Sequence, residues 1–193
     1  MRRILRLLAC GAVVLSLVAC TPTGRAVGDT QDSMPSIAHD STHKTDITVG
    51  FVGSTDTAAD KKAIDALADD TLNVYYASLD TSGDSETADK IAATAQQGIT
   101  DFVDRAVKIV IISGIDVTDA NRDSWNQALT NVREAGIPVA LLNPKHAPED
   151  ELLYAAILNT DDAASAKSVS IADAVITITR DEPHDRTIAV ATE

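Results

Sequence analysis

Five short apolar runs recur along this chain, four of them followed by a stretch with helical spacing, and that alternation limits the fold more than any other feature. The runs are Ile47–Val52 (ITVGFV), Leu72–Leu79 (LNVYYASL), Val107–Ile112 (VKIVII), Ile137–Leu142 (IPVALL) and Leu152–Leu158 (LLYAAIL). Ile64 and Leu67 mark a first helical stretch, and Ile91, Ala95, Ile99, Phe102 and Val103 mark a second within Ser85–Asp104. Trp125, Leu129 and Val132 share one helical face of Asp119–Ala135, which stops at Gly136, and Asp161–Thr179 reads as a last, alanine-rich helix. Strands alternating with helices of this length predict βαβ units, and so a three-layer α/β/α, Rossmann-like fold with a mostly parallel five-stranded sheet. Right-handed crossovers bring all strand C-terminal ends to one edge, and ligands of such sheets bind beyond that edge. The segments singled out are Ser54–Thr57, Asp80–Gly83, Ser113–Asp116, Asn143–Lys145 and Asn159–Asp162.

Composition narrows the function classes. The 193 residues carry a formal charge of −13 and only 3% aromatics. An acidic body of this kind does not attract nucleic acid or anionic lipid through its general field. Alanine, valine, isoleucine and leucine must build the core, which suits helices packed on a sheet.

The N-terminus predicts export. Arg2, Arg3 and Arg6 precede the apolar run Leu7–Ala19, the order of a secretory signal. The run is too short to span a bilayer, which takes about 20 residues. Its junction, Leu17-Val18-Ala19-Cys20, resembles the bacterial lipobox, in which the cysteine thiol receives a diacylglycerol and becomes the first mature residue. Stable anchoring takes two acyl chains or more, and such a cysteine supplies them. Cys10 leaves with the signal, so Cys20 is the only cysteine of the mature chain and has no disulfide partner. The expected division is a signal peptide over 1–19 and a flexible tether over 20–45 after lipidated Cys20. An α/β lobe over 46–180 and a separate tail over 181–193 follow. The only membrane contact expected is the lipid. His39 and His43 in the tether stand four apart, but no helix is expected there to align them as metal ligands.

Several longer stretches resemble a known family. Gln97–Asp116 (QGITDFVDRAVKIVIISGID) is similar to the second helix and third strand of periplasmic sugar-binding proteins of the ribose and galactose type. Glu134–Leu142 (EAGIPVALL) resembles their fourth strand, Leu158–Asp162 (LNTDD) the stretch after their fifth, and Asp185–Thr192 (DRTIAVAT) the first strand of their second lobe. The resemblance implies a two-lobed clamp that passes a small sugar to an ABC permease, with no cofactor and no catalysis. Only the first lobe is expected here, with the hinge and one orphan strand of a second. The apolar strand Ile188–Ala191 would then lack a partner, a liability for a monomer.

The resemblance places a half-site on Asp56, Ser113, Asn143, Thr160 and Asp161. It departs from the family at Ala58 and Ala59, where two aromatics stack on the sugar, and at Asn143-Pro144, where Asp-Arg is usual. Asp, Ser, Thr and Asn are also favoured in turns and helix caps on backbone grounds alone, so both roles stay open for these five residues. Gly50–Thr55 (GFVGST) lacks the lysine and spacing of a phosphate loop. Asp80 has the place of a phospho-acceptor, but an exported protein meets little phosphodonor. His146 and His184 read as solvated loop residues, Trp125 reads as core, and there is no nucleophile motif. The expected function is the sugar-binding lipoprotein of a carbohydrate ABC importer, weak in ligand binding. The alternative is a one-lobed lipoprotein that acts through protein contact as a sensor, decoy or assembly subunit.

Overall fold

The computed structural model describes residues 22–31, 33, 42–79, 88–161, 163–165 and 167–192. Cys20, His39, Asp80, the turn after it and Asp162 lie outside these residues.

Among the described residues the alternation folds into seven parallel strands and four α-helices. The strands are β1 Thr48–Val52, β2 Asn73–Ala77, β3 Ile109–Ser113, β4 Val139–Leu142, β5 Ala156–Asn159, β6 Val169–Ser170 and β7 Thr187–Ala191. The helices are α1 Thr57–Asp69, α2 Ala88–Asp104, α3 Arg122–Glu134 and α4 Ile171–Thr179. The strand order is β2-β1-β3-β4-β5-β7-β6. The chain reverses direction across the sheet between β1 and β3, which is where doubly wound sheets open a crevice.

Period-two side-chain alternation sorts the strands' residues into two cores. Val49, Phe51, Ile109 and Ile111 face α1 and α4, where Ala63, Leu67, Ala172 and Val175 meet them. Val52, Val110, Ile112 and Leu141 face α2 and α3, meeting Ala95, Ile99, Trp125, Leu129 and Val132. Trp125, Leu129 and Val132 are buried, so that stripe is core as expected. Fully burying a side chain of the Leu or Ile size contributes roughly 1.5–3 kcal/mol, and two such layers hold a sheet with few aromatics.

Several expectations need correction. The sheet has seven strands, not five. The strand expected to be an orphan is β7, which pairs in parallel with β5 through Ile157↔Thr187, Leu158↔Ile188 and Asn159↔Ala189. An apolar strand next to an open sheet edge satisfies its backbone there, and Val190 becomes fully buried. The fifth run begins as a 3-10 turn, Glu151–Leu153, because the Asp150 carboxylate accepts from the Leu152 N–H at 2.9 Å. The last helix begins at Ile171 and not at Asp161, because Ser170 Oγ caps it by accepting from the Asp173 N–H at 2.9 Å.

The segment 22–31, read from sequence as part of a flexible tether, is packed on the body. Ala26, Asp29 and Thr30 are buried. Gly28 has φ +78°, and a Cβ there would stand 2.8 Å from Pro138 Cβ and 3.0 Å from Ile178 Cγ2. Only glycine combines that conformation with that approach. His184 is not simply solvated, since its Nε2 lies 2.7 Å from the Gly28 carbonyl oxygen. His146 is exposed, but its Nδ1 lies 2.7 Å from Asp116 Oδ1. Among the described residues no helix is long and apolar enough to cross a membrane.

Candidate functional site

The loop from β1 into α1 is fixed from below by a carboxylate. Asp60, in the first turn of α1, is almost fully buried. It accepts from the Ser54 N–H at 2.6 Å and from the Ser54 hydroxyl at 3.0 Å. Ser54 Oγ in turn accepts from the Asp56 N–H at 3.0 Å. Asp56 then caps the helix, its Oδ1 accepting from the Ala59 N–H at 3.0 Å. The capping role expected for Asp56 is present. A phosphate at GFVGST would meet the Asp60 carboxylate already holding the Ser54 N–H and hydroxyl, so that segment is no anion loop.

Across the switch point, β3 ends at Ser113-Gly114. Ser113 is 8% exposed. Gly114 has φ +60°, and a Cβ there would come within 3.1 Å of Ser54 Cβ. The glycine therefore lets the tip of β3 close against the β1–α1 loop.

The tips of β4 and β5 are joined by a reciprocal pair. The Asn143 side-chain amide donates to Thr160 Oγ1 at 2.7 Å, and Asn143 Oδ1 accepts from the Thr160 N–H at 2.9 Å. Asn143 sits at φ +45°, a region in which asparagine is tolerated more readily than most residues. Its amide is thus largely engaged inside the protein. The Thr160 hydroxyl still has its proton to donate.

These tips enclose a groove of about 600 Å³. Asp56, Ser113, Asn143 and Thr160 line it, so the fold brings four of the five expected residues together. Asp161 is exposed and does not line it. Its N–H donates to Asn159 Oδ1 at 2.8 Å in a turn, and it caps no helix. Its apolar lining is small: Ala58, Ala59, Ala63 and Leu142.

Two polar groove residues were missed from sequence. Lys62 lies four residues after Ala58 and so on the same helical face, a signal the sequence did contain. Thr192, just past β7, reaches the groove only because β7 joins the sheet. Lys62 makes no ion pair among the described residues. A second, smaller space of about 120 Å³ lies across Ser113, between Leu79, Ile91, Ile115 and Trp125. Among the described residues no cluster of His, Cys, Asp or Glu is arranged to hold a metal.

The groove thus offers hydroxyl hydrogen bonding, one carboxylate, one ammonium and small apolar side chains. Among the described residues that line it there is no aromatic side chain.

No family model matches the chain, and no curated protein matches it. Among solved structures it is similar to a galactofuranose binding protein, at 20% identity and a TM-score of 0.46, over 63% of this chain and 38% of that one. It is also similar to a protein from Mycobacterium smegmatis in complex with β-D-fucofuranose, at 19% identity and a TM-score of 0.47, over 63% and 37%. A pilus assembly-related protein from Burkholderia pseudomallei K96243 matches at 17% identity and a TM-score of 0.45, over 75% of this chain and 97% of that one. The chain thus spans well under half the length of the first two, and likeness at these values says nothing of ligand or partner. By its own strand order and layering, the chain has the α/β/α architecture with a parallel sheet that its sequence predicts.

Proposed function

We propose that this chain is the first lobe of an extracytoplasmic sugar-binding lipoprotein of a carbohydrate ABC importer, anchored through Cys20. One observation carries the reading: Asp56, Ser113, Asn143 and Thr160, picked out by the resemblance from four separate loops, converge on a single groove at the switch-point edge of the sheet. Hydroxyl-rich ligands suit such a set of short polar groups. The permease partner rests on the resemblance alone.

Affinity for a free monosaccharide is low. Small-ligand sites bury about 70–90% of the ligand surface, and this groove covers one side. Ala58 and Ala59 line the groove and supply no stacking. Binding on the order of millimolar or weaker, about −4 kcal/mol, follows.

NMR titration of the chain with a panel of aldopentoses and aldohexoses tests the reading. Shifts confined to Ser113, Asn143, Thr160 and the start of α1 are expected for at least one sugar. A panel that moves none of these resonances sinks the sugar reading, and micromolar affinity sinks the one-sided account of it.

A second reading, action through protein contact, is favoured by the lateral edge of the sheet. The edge strand β2 reads Asn-Val-Tyr-Tyr-Ala, with Tyr75 and Tyr76 each 43% exposed, no charge or proline within the strand itself, and the Arg105 guanidinium 5.5 Å over the Tyr75 ring.

A further inference from the structure

The segment between Cys20 and the lobe contacts the body at the edge opposite the groove. Arg133, near the end of α3, donates to the Pro22 carbonyl at 2.8 Å and to the Arg25 carbonyl at 3.2 Å. Asp29, 4% exposed, is paired with Arg186, which precedes β7. The Thr30 hydroxyl donates to the Glu182 carbonyl at 2.5 Å, and the His184 N–H donates to the Gln31 carbonyl at 3.0 Å. Arg180, at the end of α4, donates to the Thr42 carbonyl at 2.9 Å. All these partners sit where helices end and strands begin. The groove lies where strands end.

We propose that residues 22–31 are a docking strap that pins the anchored end of the chain to the strand N-terminal edge, so that the lipidated protein holds this edge against the lipid surface and presents its groove outward. The inference rests on the lipidation of Cys20 proposed above.

Chain geometry supplies the force of it. Consecutive Cα atoms are about 3.8 Å apart, so Cys20 lies within about 8 Å of Pro22. A free flexible tether of roughly 25 residues would instead let the lobe wander about 25–30 Å from its lipid and face any direction. The difference between a leash and a hinge pin is therefore about threefold in reach. Charge does not do the orienting. Carboxylates such as Asp104, Glu134 and Asp185 lie on the same edge as the arginines, and the short connection decides which side faces the lipid.

The two ends of α3 serve as a ruler, since positions 123 and 134 are about 16 Å apart along the helix axis. The full chain is expressed so that Cys20 is acylated, and is placed in phosphatidylcholine vesicles carrying a headgroup quencher. A dye is attached at Asp123→Cys or at Glu134→Cys in separate proteins. Stronger quenching at 134 than at 123 is expected, with the difference shrinking in an Arg133→Ala/Arg186→Ala background. Equal quenching at both positions, with the lipid present on Cys20 by mass spectrometry, overturns the proposal. An unmodified Cys20 overturns the lipoprotein reading and the orientation with it. Hydrogen exchange on soluble Cys20→Ser protein then judges the strap by itself. Slow exchange at the Asp29 and Ser33 amides is expected, and exchange at the unfolded rate removes the strap.

Discussion

At the N-terminal edge of the sheet three arginines direct their guanidinium donors to the backbone and carboxylate of residues 22–42. At the C-terminal edge Lys62 and Thr160 line an open groove together with several alanines. The first edge is closed by its own chain. The second keeps some polar groups unmatched by protein. Under the groove, the Asp60–Ser54 contact ties down its loop much as the arginine clamps tie down the far side. The lobe thus fixes its underside and the base of one loop while leaving a concave rim open.

The largest effect that sharpens this contrast is expected at Asp60. Asp60→Ala removes a buried carboxylate and leaves the Ser54 N–H and hydroxyl without their acceptor, at a cost of about 3 kcal/mol. Urea unfolding measures it, and a loss below about 1 kcal/mol would mean that water replaces the carboxylate and the loop is not fixed from below.

Next comes the strap. Gly28→Ala forces a Cβ against Pro138 at positive φ and should cost about 1–3 kcal/mol, with segment 22–31 released. Proteolysis that cuts near Gly28 in the variant and not in the parent checks the release. An unchanged midpoint with an uncut segment would break the contrast between the two edges.

The smallest effect is expected at the groove rim. Asn143→Gly removes both bonds to Thr160 while keeping φ +45° accessible, at about 1 kcal/mol. Asn143→Ala adds the strain of that conformation, roughly 1 kcal/mol more. Thermal melts of the pair separate hydrogen bonding from strain. Equal melts for the two would show that the tip relaxes freely and that the rim is softer than its hydrogen bonds suggest.

Much of the fold was legible in the sequence. The runs ITVGFV, VKIVII and IPVALL contain β1, β3 and β4 because continuous apolar stretches suit strands buried on both faces. The stripe Trp125-Leu129-Val132 is the buried face of α3. The site was legible as far as loop position goes, since parallel strands send their tips to one edge whatever their exact bounds. What could not be read was the choice among polar residues within a tip. Asp161 and Thr160 are adjacent and equally suited to a cap or a ligand, but the bond between Asn143 and Thr160 puts one in the groove and leaves the other outside.

The sequence by itself determined the parallel α/β alternation, the order of its helices and the edge on which a ligand would sit, because periodicity and handedness act locally and repeat. Only the tertiary structure decided that β7 completes the sheet beside β5, that residues 22–31 bind the far edge, and that Asp60 holds Ser54. Each of these joins segments through backbone edges or charged groups whose partners are set by proximity in the folded chain, and no local pattern records which partner that will be.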